Sequence, residues 1–293
     1  MNALFTGVAT AMVTPFLQGK VNYPMMERLL KRQLEAGVKT AVIAGTTGEG
    51  ATLTDEEKLL LIRRGKEAVG SQMRILAGTG SNDTAHAAAL SAAAQEAGAD
   101  GLLVVSPYYN KATDEGLVEH YIAIAAAVQI PLIVYNVPSR TGLDIPVEVY
   151  AVLSKVPNIA GVKEASSSIE KIAKIREKCP NFPVYAGNDA MVLPVLSLGG
   201  AGVISTAANV APVPMQALCS AAADGDFDTA EDLQLHLLPL ICALFAEVNP
   251  IPVKAAMRLL GFDCGSPRLP LTPAMESTVR RLRETIENSG CAE

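Results

Sequence analysis

The chain has 293 residues, of which 49% are hydrophobic and 18% charged, with a formal net charge of -6 at pH 7. That length allows two ordinary domains, or one large α/β barrel with an extension, and it buries a sizeable core without help from disulfides or metal. The acidic balance, the lack of a basic run, zero Trp and 4% aromatics argue against a nucleic-acid partner, and no apolar stretch reaches the ~18–20 residues of a membrane span. The N-terminus carries no basic segment followed by an apolar block, so the expectation is a soluble, cytoplasmic protein without a signal peptide.

Short apolar, β-rich runs alternate with longer helical stretches. The strands expected from these runs are 7–13, 40–44, 73–77, 101–105, 131–135, 159–163, 183–186 and 202–205. The helices expected between and after them are 24–36, 55–69, 84–97, 115–128, 146–154, 169–178, 190–198 and 212–223. Thr54 before Asp55, Glu56 and Glu57 forms a capping box with acid in the first turn. Gly37 and Gly98 follow apolar helical patterns, where a left-handed residue ends a helix. Runs such as Leu102-Leu103-Val104-Val105 and Leu132-Ile133-Val134 are the pattern of parallel strands buried on both faces.

Eight regular strand–helix units predict a (β/α)8 TIM barrel over residues 1–224. A doubly wound sheet fits less well, since the Gly-rich dinucleotide turn is missing after the first strand. Beyond the barrel the β-rich runs stop. Residues 227–247, 252–260 and 273–288 read as helices, so 225–293 is expected to be a C-terminal helical domain packed on the barrel. The 5 cysteines (Cys179, Cys219, Cys242, Cys264, Cys291) and 3 histidines (His86, His120, His236) show neither a disulfide framework nor metal-ligand spacing.

In such a barrel, chemistry sits at the C-terminal ends of the strands. The second strand ends in Gly45-Thr46-Thr47-Gly48-Glu49-Gly50, the fourth in Ser106-Pro107-Tyr108-Tyr109-Asn110, the fifth in Tyr135-Asn136-Val137-Pro138-Ser139-Arg140-Thr141-Gly142, and the sixth in Val162-Lys163-Glu164. Lys163 would project into the barrel mouth, where a neutral amine can form a Schiff base; a lysine reaching solvent or paired with Glu164 is the alternative. Tyr135, on the neighbouring strand, could exchange protons at the same centre, or be a core tyrosine bonded to a backbone carbonyl. Thr46 and Thr47 lie in a turn that can offer N–H and hydroxyl donors to a carboxylate, or simply join a strand to a helix. Arg140 could clamp a carboxylate with two hydrogen bonds, or stand as a solvated loop arginine. The 45–50 run lacks the spacing of a nucleotide phosphate loop.

These strand ends, together with Asn249-Pro250-Ile251-Pro252-Val253-Lys254, resemble the dihydrodipicolinate synthase family. That family belongs with the pyruvate-dependent class I aldolases and lyases that include N-acetylneuraminate lyase. The likeness runs over essentially the whole chain. It implies condensation of pyruvate with L-aspartate 4-semialdehyde to 4-hydroxy-tetrahydrodipicolinate, the first committed step of diaminopimelate and lysine biosynthesis, with no metal or other cofactor. It implies Lys163 as the Schiff-base residue and Tyr135 as proton donor and acceptor, linked through Thr47 to Tyr109, which would reach a neighbouring subunit's site. Thr46 and Thr47 would hold the pyruvate carboxylate, Gly187 and Ile204 would line the pocket, and Arg140 would receive the carboxylate of the semialdehyde. A homodimer or homotetramer is implied in turn. The alternative is a sister lyase acting on a sugar acid or another oxo acid, and Ser139-Arg140-Thr141 favours the synthase. A barrel that merely binds a small acid would need Lys163 to be inert. Lysine-inhibited relatives bind lysine near the positions of Gly50, Ala51, Asp55, Lys58, Asn82, His86 and Tyr108. Gly50, Lys58 and His86 depart from the Ser, His and Glu expected there, so weak or absent feedback is expected.

Overall fold

The computed structural model describes residues 3–289, and Cys291 lies outside the described residues. Eight parallel strands close into a barrel: β1 (Gly7–Ala11), β4 (Thr40–Ile43), β5 (Arg74–Gly78), β6 (Gly101–Val105), β7 (Leu132–Asn136), β8 (Ile159–Glu164), β9 (Val184–Ala186) and β10 (Gly202–Ser205). β1 pairs with both β4 and β10, which seals the ring. The two remaining strands, β2 (Phe16–Leu17) and β3 (Lys20–Val21), form a small antiparallel hairpin that the apolar pattern did not predict. Its two-residue turn has left-handed backbone at Gln18 (φ 51°) and Gly19 (φ 76°), a geometry matched to the twist of paired strands.

Helices α1 (Tyr23–Glu35), α2 (Asp55–Val69), α3 (Thr84–Glu96), α4 (Asp114–Ala126), α5 (Pro138–Thr141), α6 (Val147–Leu153), α7 (Ile169–Lys178), α8 (Val192–Ser197) and α9 (Pro212–Ala223) surround the barrel. The α2 cap is the reciprocal one expected, with Thr54 Oγ1 accepting from Glu57 N and the Glu57 carboxylate accepting from Thr54 N. α8 is shorter than the 190–198 pattern suggested. A 3-10 turn over Asp189–Met191 precedes it, and Pro194 falls in its first turn, where a missing N–H breaks no helical bond.

Two apolar layers hold the fold. One lies between strands and helices. The other fills the barrel, where Phe5, Ala11, Val42, Leu103, Ile133, Tyr135, Tyr185 and Ile204 pack together. Alternation along each strand decides which residues turn inward. Phe5 stacks on Tyr185 at 4.3 Å between ring centroids and closes the lower end.

α10 (Phe227–Leu244), α11 (Ile251–Leu259) and α12 (Glu276–Asn288) follow the barrel. α10 packs on α8 and α9, and α12 packs on α10 and α11. α10 stops at Leu244 rather than continuing to residue 247, and the chain from Phe245 to Pro250 crosses the barrel mouth. Asn249 precedes a proline, whose ring disfavours helical backbone at the residue before it.

Candidate active site

β7 and β8 pair in parallel with Tyr135 beside Lys163 and Asn136 beside Glu164. Adjacent residues on a strand face opposite sides, so Lys163 and Tyr135 point into the barrel while Glu164 and Asn136 point away from it. Lys163 is 6% exposed, and its Nζ lies 4.3 Å from the Tyr135 ring centroid, over the ring face. Glu164 is bound elsewhere: it accepts from Asn136 Nδ2 (2.8 Å), Tyr150 OH (3.0 Å) and Ser166 N (2.9 Å), with Lys171 Nζ at 3.6 Å. Lys163 makes no ion pair with it, and the Tyr135 hydroxyl makes no hydrogen bond among the described residues. Both residues are buried, and neither the amine nor the phenol hydroxyl is taken up in a hydrogen bond among the described residues.

The turn after β4 is bent by left-handed backbone at Ala44 (φ 57°) and Glu49 (φ 55°). It presents Thr46 and Thr47 to a cavity of about 200 Å³ at the barrel mouth, which Tyr135, Arg140, Lys163 and Gly187 also line. Thr47 Oγ1 accepts from Asn249 Nδ2 at 2.9 Å and lies 3.2 Å from Thr206 Oγ1. The Thr46 hydroxyl has no partner among the described residues. Below the turn, the buried Glu49 carboxylate meets Lys254 Nζ at 2.8 Å and accepts the Arg268 backbone N–H at 2.8 Å.

Arg140 stands in the short helix α5, with Nη2 donating to the Asn249 carbonyl at 3.2 Å. Gly187 fits the cavity wall because a Cβ there would lie 2.6 Å from the Ala165 Cβ and 2.9 Å from the Glu164 carbonyl. Ile204 does not reach that wall and packs in the apolar layer around Tyr135. Tyr109 is 92% exposed, has φ 74°, and lies outside the cavity of its own chain.

The model of the dihydrodipicolinate synthetase family matches residues 4–289. The chain belongs to that family. A 4-hydroxy-tetrahydrodipicolinate synthase from Caldicellulosiruptor saccharolyticus is 48% identical over 288 residues, 98% of each chain. A dihydrodipicolinate synthase from Cyanidioschyzon merolae, solved with lysine bound, superposes with a TM-score of 0.96 at 41% identity, covering 99% of this chain and 100% of the other. The chloride-inhibited enzyme from Acinetobacter baumannii, solved in complex with pyruvate, gives 0.95 at 40% identity, covering 98% of this chain and 99% of that one.

Several residues at this mouth of a dihydrodipicolinate synthetase barrel were not assigned roles from the sequence. Thr206 directly follows β10, and Asn188-Asp189 follow β9, so reading the last two strand ends as the earlier ones were read would have found them. Asn249 and Lys254 lie in a segment whose likeness was noted, but their partners stand about two hundred residues away in the chain. Among the described residues no group of three or more His, Cys, Asp or Glu could hold a metal ion. Among the described residues no helix is long and apolar enough to cross a membrane.

Proposed function

We propose that this chain is a 4-hydroxy-tetrahydrodipicolinate synthase, condensing pyruvate with L-aspartate 4-semialdehyde through a Schiff base on Lys163. The observation that carries the reading is Lys163 itself: an amine buried in the barrel mouth over the Tyr135 ring, in no salt bridge among the described residues, with the Asp189 carboxylate acting on it only from a distance. Its nitrogen attacks C2 of pyruvate, water leaves, and a cationic iminium forms. The ring face below attracts that positive charge. The iminium accepts the electrons released when the methyl group loses a proton, and the resulting enamine attacks the aldehyde carbon. The amino group of the former semialdehyde then displaces Lys163 by transimination, which closes the ring and frees the enzyme.

Tyr135 serves these proton transfers, since its hydroxyl is uncommitted and adjacent to Lys163. Thr46 and Thr47 hold the pyruvate carboxylate, Gly187 leaves room beside it, and Arg140 receives the second substrate's carboxylate. The family resemblance implies Thr47 as the link from Tyr135 towards Tyr109. Thr47 has its hydroxyl engaged by Asn249 and Thr206, whereas the Thr46 hydroxyl has no partner among the described residues, so we assign the relay to Thr46 and leave Thr47 in carboxylate binding. Tyr109, nearly fully exposed, serves a neighbouring subunit, which makes the working unit at least a dimer. We divide the chain into a catalytic barrel, 1–224, and a helical domain, 225–293, that closes over the mouth. We place the enzyme in the reducing cytoplasm, where the free thiols of Cys179, Cys219, Cys242 and Cys264 persist.

We also infer weak or absent inhibition by lysine. Asp55 is already engaged by His86 Nε2 at 2.7 Å and Lys58 Nζ at 3.2 Å. Burial pushes its carboxyl up, but these two partners outweigh that and hold it below the usual range. Little of its charge is left for a ligand ammonium. Half-inhibition by micromolar lysine in a steady-state assay would refute this.

Incubation with pyruvate and borohydride tests the central reading: wild type is expected to carry a reduced pyruvyl adduct on Lys163, and K163A none. Turnover of pyruvate plus aspartate semialdehyde, but not of N-acetylneuraminate, then separates the synthase from its sister lyases. An unmodified Lys163 sinks both.

A further inference from the structure

Thr206, Thr47 and Asn249 form a closed hydrogen-bonded triangle on the cavity wall. Asn249 Nδ2 donates to Thr47 Oγ1 at 2.9 Å and, more weakly, to Thr206 Oγ1 at 3.5 Å, and the two hydroxyls lie 3.2 Å apart. In this orientation the amide's own Oδ1 is buried without a partner among the described residues. Thr206 is in turn fixed through its backbone, since the fully buried Asp189 carboxylate accepts from Thr206 N at 3.1 Å and Ala207 N at 2.9 Å. All three corners line the cavity that holds Lys163.

Counting protons sets what this triangle can do. Each threonine oxygen already accepts an N–H from the amide, and one hydroxyl proton bridges the pair. The other hydroxyl proton has no acceptor among the described residues and lies on the cavity wall. A hydroxyl that accepts two hydrogen bonds becomes a stronger donor, and a carboxylate, which only accepts, is the group that takes it.

We propose that Thr206 is a positioning residue for the 2-oxo acid: through its bridge to Thr47 it presets the hydroxyl proton that binds the substrate carboxylate. Asn249, from the segment after α10, completes the device, so the C-terminal helical part of the chain takes part in substrate binding. This inference rests on the reading of Lys163 as the residue that captures pyruvate. The carboxylate is not a reacting group, so the effect falls on binding of pyruvate rather than on the maximal rate.

The test is borohydride trapping on Lys163 as a function of pyruvate concentration, with kcat measured at saturating pyruvate. T206V keeps the shape of the side chain and removes the hydroxyl. It is expected to raise the half-saturating pyruvate concentration about 5- to 10-fold, the effect of losing one neutral hydrogen bond, the bridge from Thr206 to Thr47. Maximal trapping and kcat are expected to stay within about twofold, and T206S to restore wild-type half-saturation. Should T206V not fold, T206A is held to the same expectations. The proposal is overturned if the hydroxyl-free variant matches wild type, if T206S shifts as far as that variant, or if only kcat falls. A wild type that traps no pyruvate at any concentration overturns the Schiff-base reading instead, a result distinct from each of these.

Discussion

Lys163 and Tyr135 face one another because they occupy the same level of two adjacent parallel strands. Arg140 stands one loop further out, held on the Asn249 carbonyl until a better acceptor arrives. A substrate carboxylate offers it charge-assisted bonds in place of that neutral one. R140M is therefore expected to lower kcat/KM for aspartate semialdehyde by about 10- to 100-fold while pyruvate trapping on Lys163 is unchanged. Equal losses in both assays would mean that Arg140 supports the whole site instead. A second residue sets an acid limit. Burial lowers the pKa of His120 from 6.5 to about 4, and its Nε2 has no partner among the described residues. The unfolded chain thus binds the proton more tightly, so stability rises with pH between about 4 and 6.5 and is lost on acidification through that window. The loss approaches about 3 kcal/mol below pH 4. Urea unfolding of wild type and H120Q across this range checks it, with a flatter profile expected for H120Q.

At the scale of elements, the turn after β4 is clamped from the C-terminal side of the molecule. Residues 249–254 reach it twice, through Asn249 to Thr47 and through Lys254 to Glu49. Lys254 Nζ also donates to the Thr14 carbonyl at 3.0 Å and lies over the Phe16 ring, 4.2 Å from its centroid. Burial pulls the Lys254 pKa down and Glu49 opposes it, which shows how little water this ion pair sees. Removing one partner of such a pair strands a buried charge, so K254M is expected to destabilise by about 3–5 kcal/mol. E49Q/K254M, which removes both charges, is expected to recover about half of that loss. Chemical denaturation of the three proteins measures this, and a double variant as unstable as K254M would show that packing, not charge, sets the cost.

On the scale of the whole molecule, the pocket is lined without Tyr109, which stands exposed, together with a third of Tyr108, on one rim loop. If Tyr109 serves a neighbour's site, two defective chains can repair one another. A mixed dimer of K163A and Y109F holds one site with both groups intact, in the barrel of the Y109F chain. Random mixing after refolding makes about half of the dimers mixed, so about a quarter of wild-type activity is expected from two nearly inactive parents. No gain on mixing would confine Tyr109 to its own chain.

The barrel was legible because its signals are local. The bounds of β6, β10, α2, α7 and α9 agree with the sequence pattern, since an apolar run, a capping box or a Pro at a helix start acts within a turn or two. The β2–β3 hairpin escaped because two-residue strands carry no periodicity. The chemistry of the strand ends was equally readable for Lys163, Tyr135, Thr46, Thr47 and Arg140, where polar residues interrupt apolar runs. By itself, then, the sequence determined the strand–helix repeat and which side chains stand at the mouth. Only the tertiary structure decided their partners: that Glu164 turns away from Lys163, that Thr47 and not Thr46 is engaged, and that Thr206 and Asn249, 159 and 202 residues distant, engage it. Contacts of that span depend on barrel closure and on where a late segment crosses the mouth, and no short window of residues encodes either.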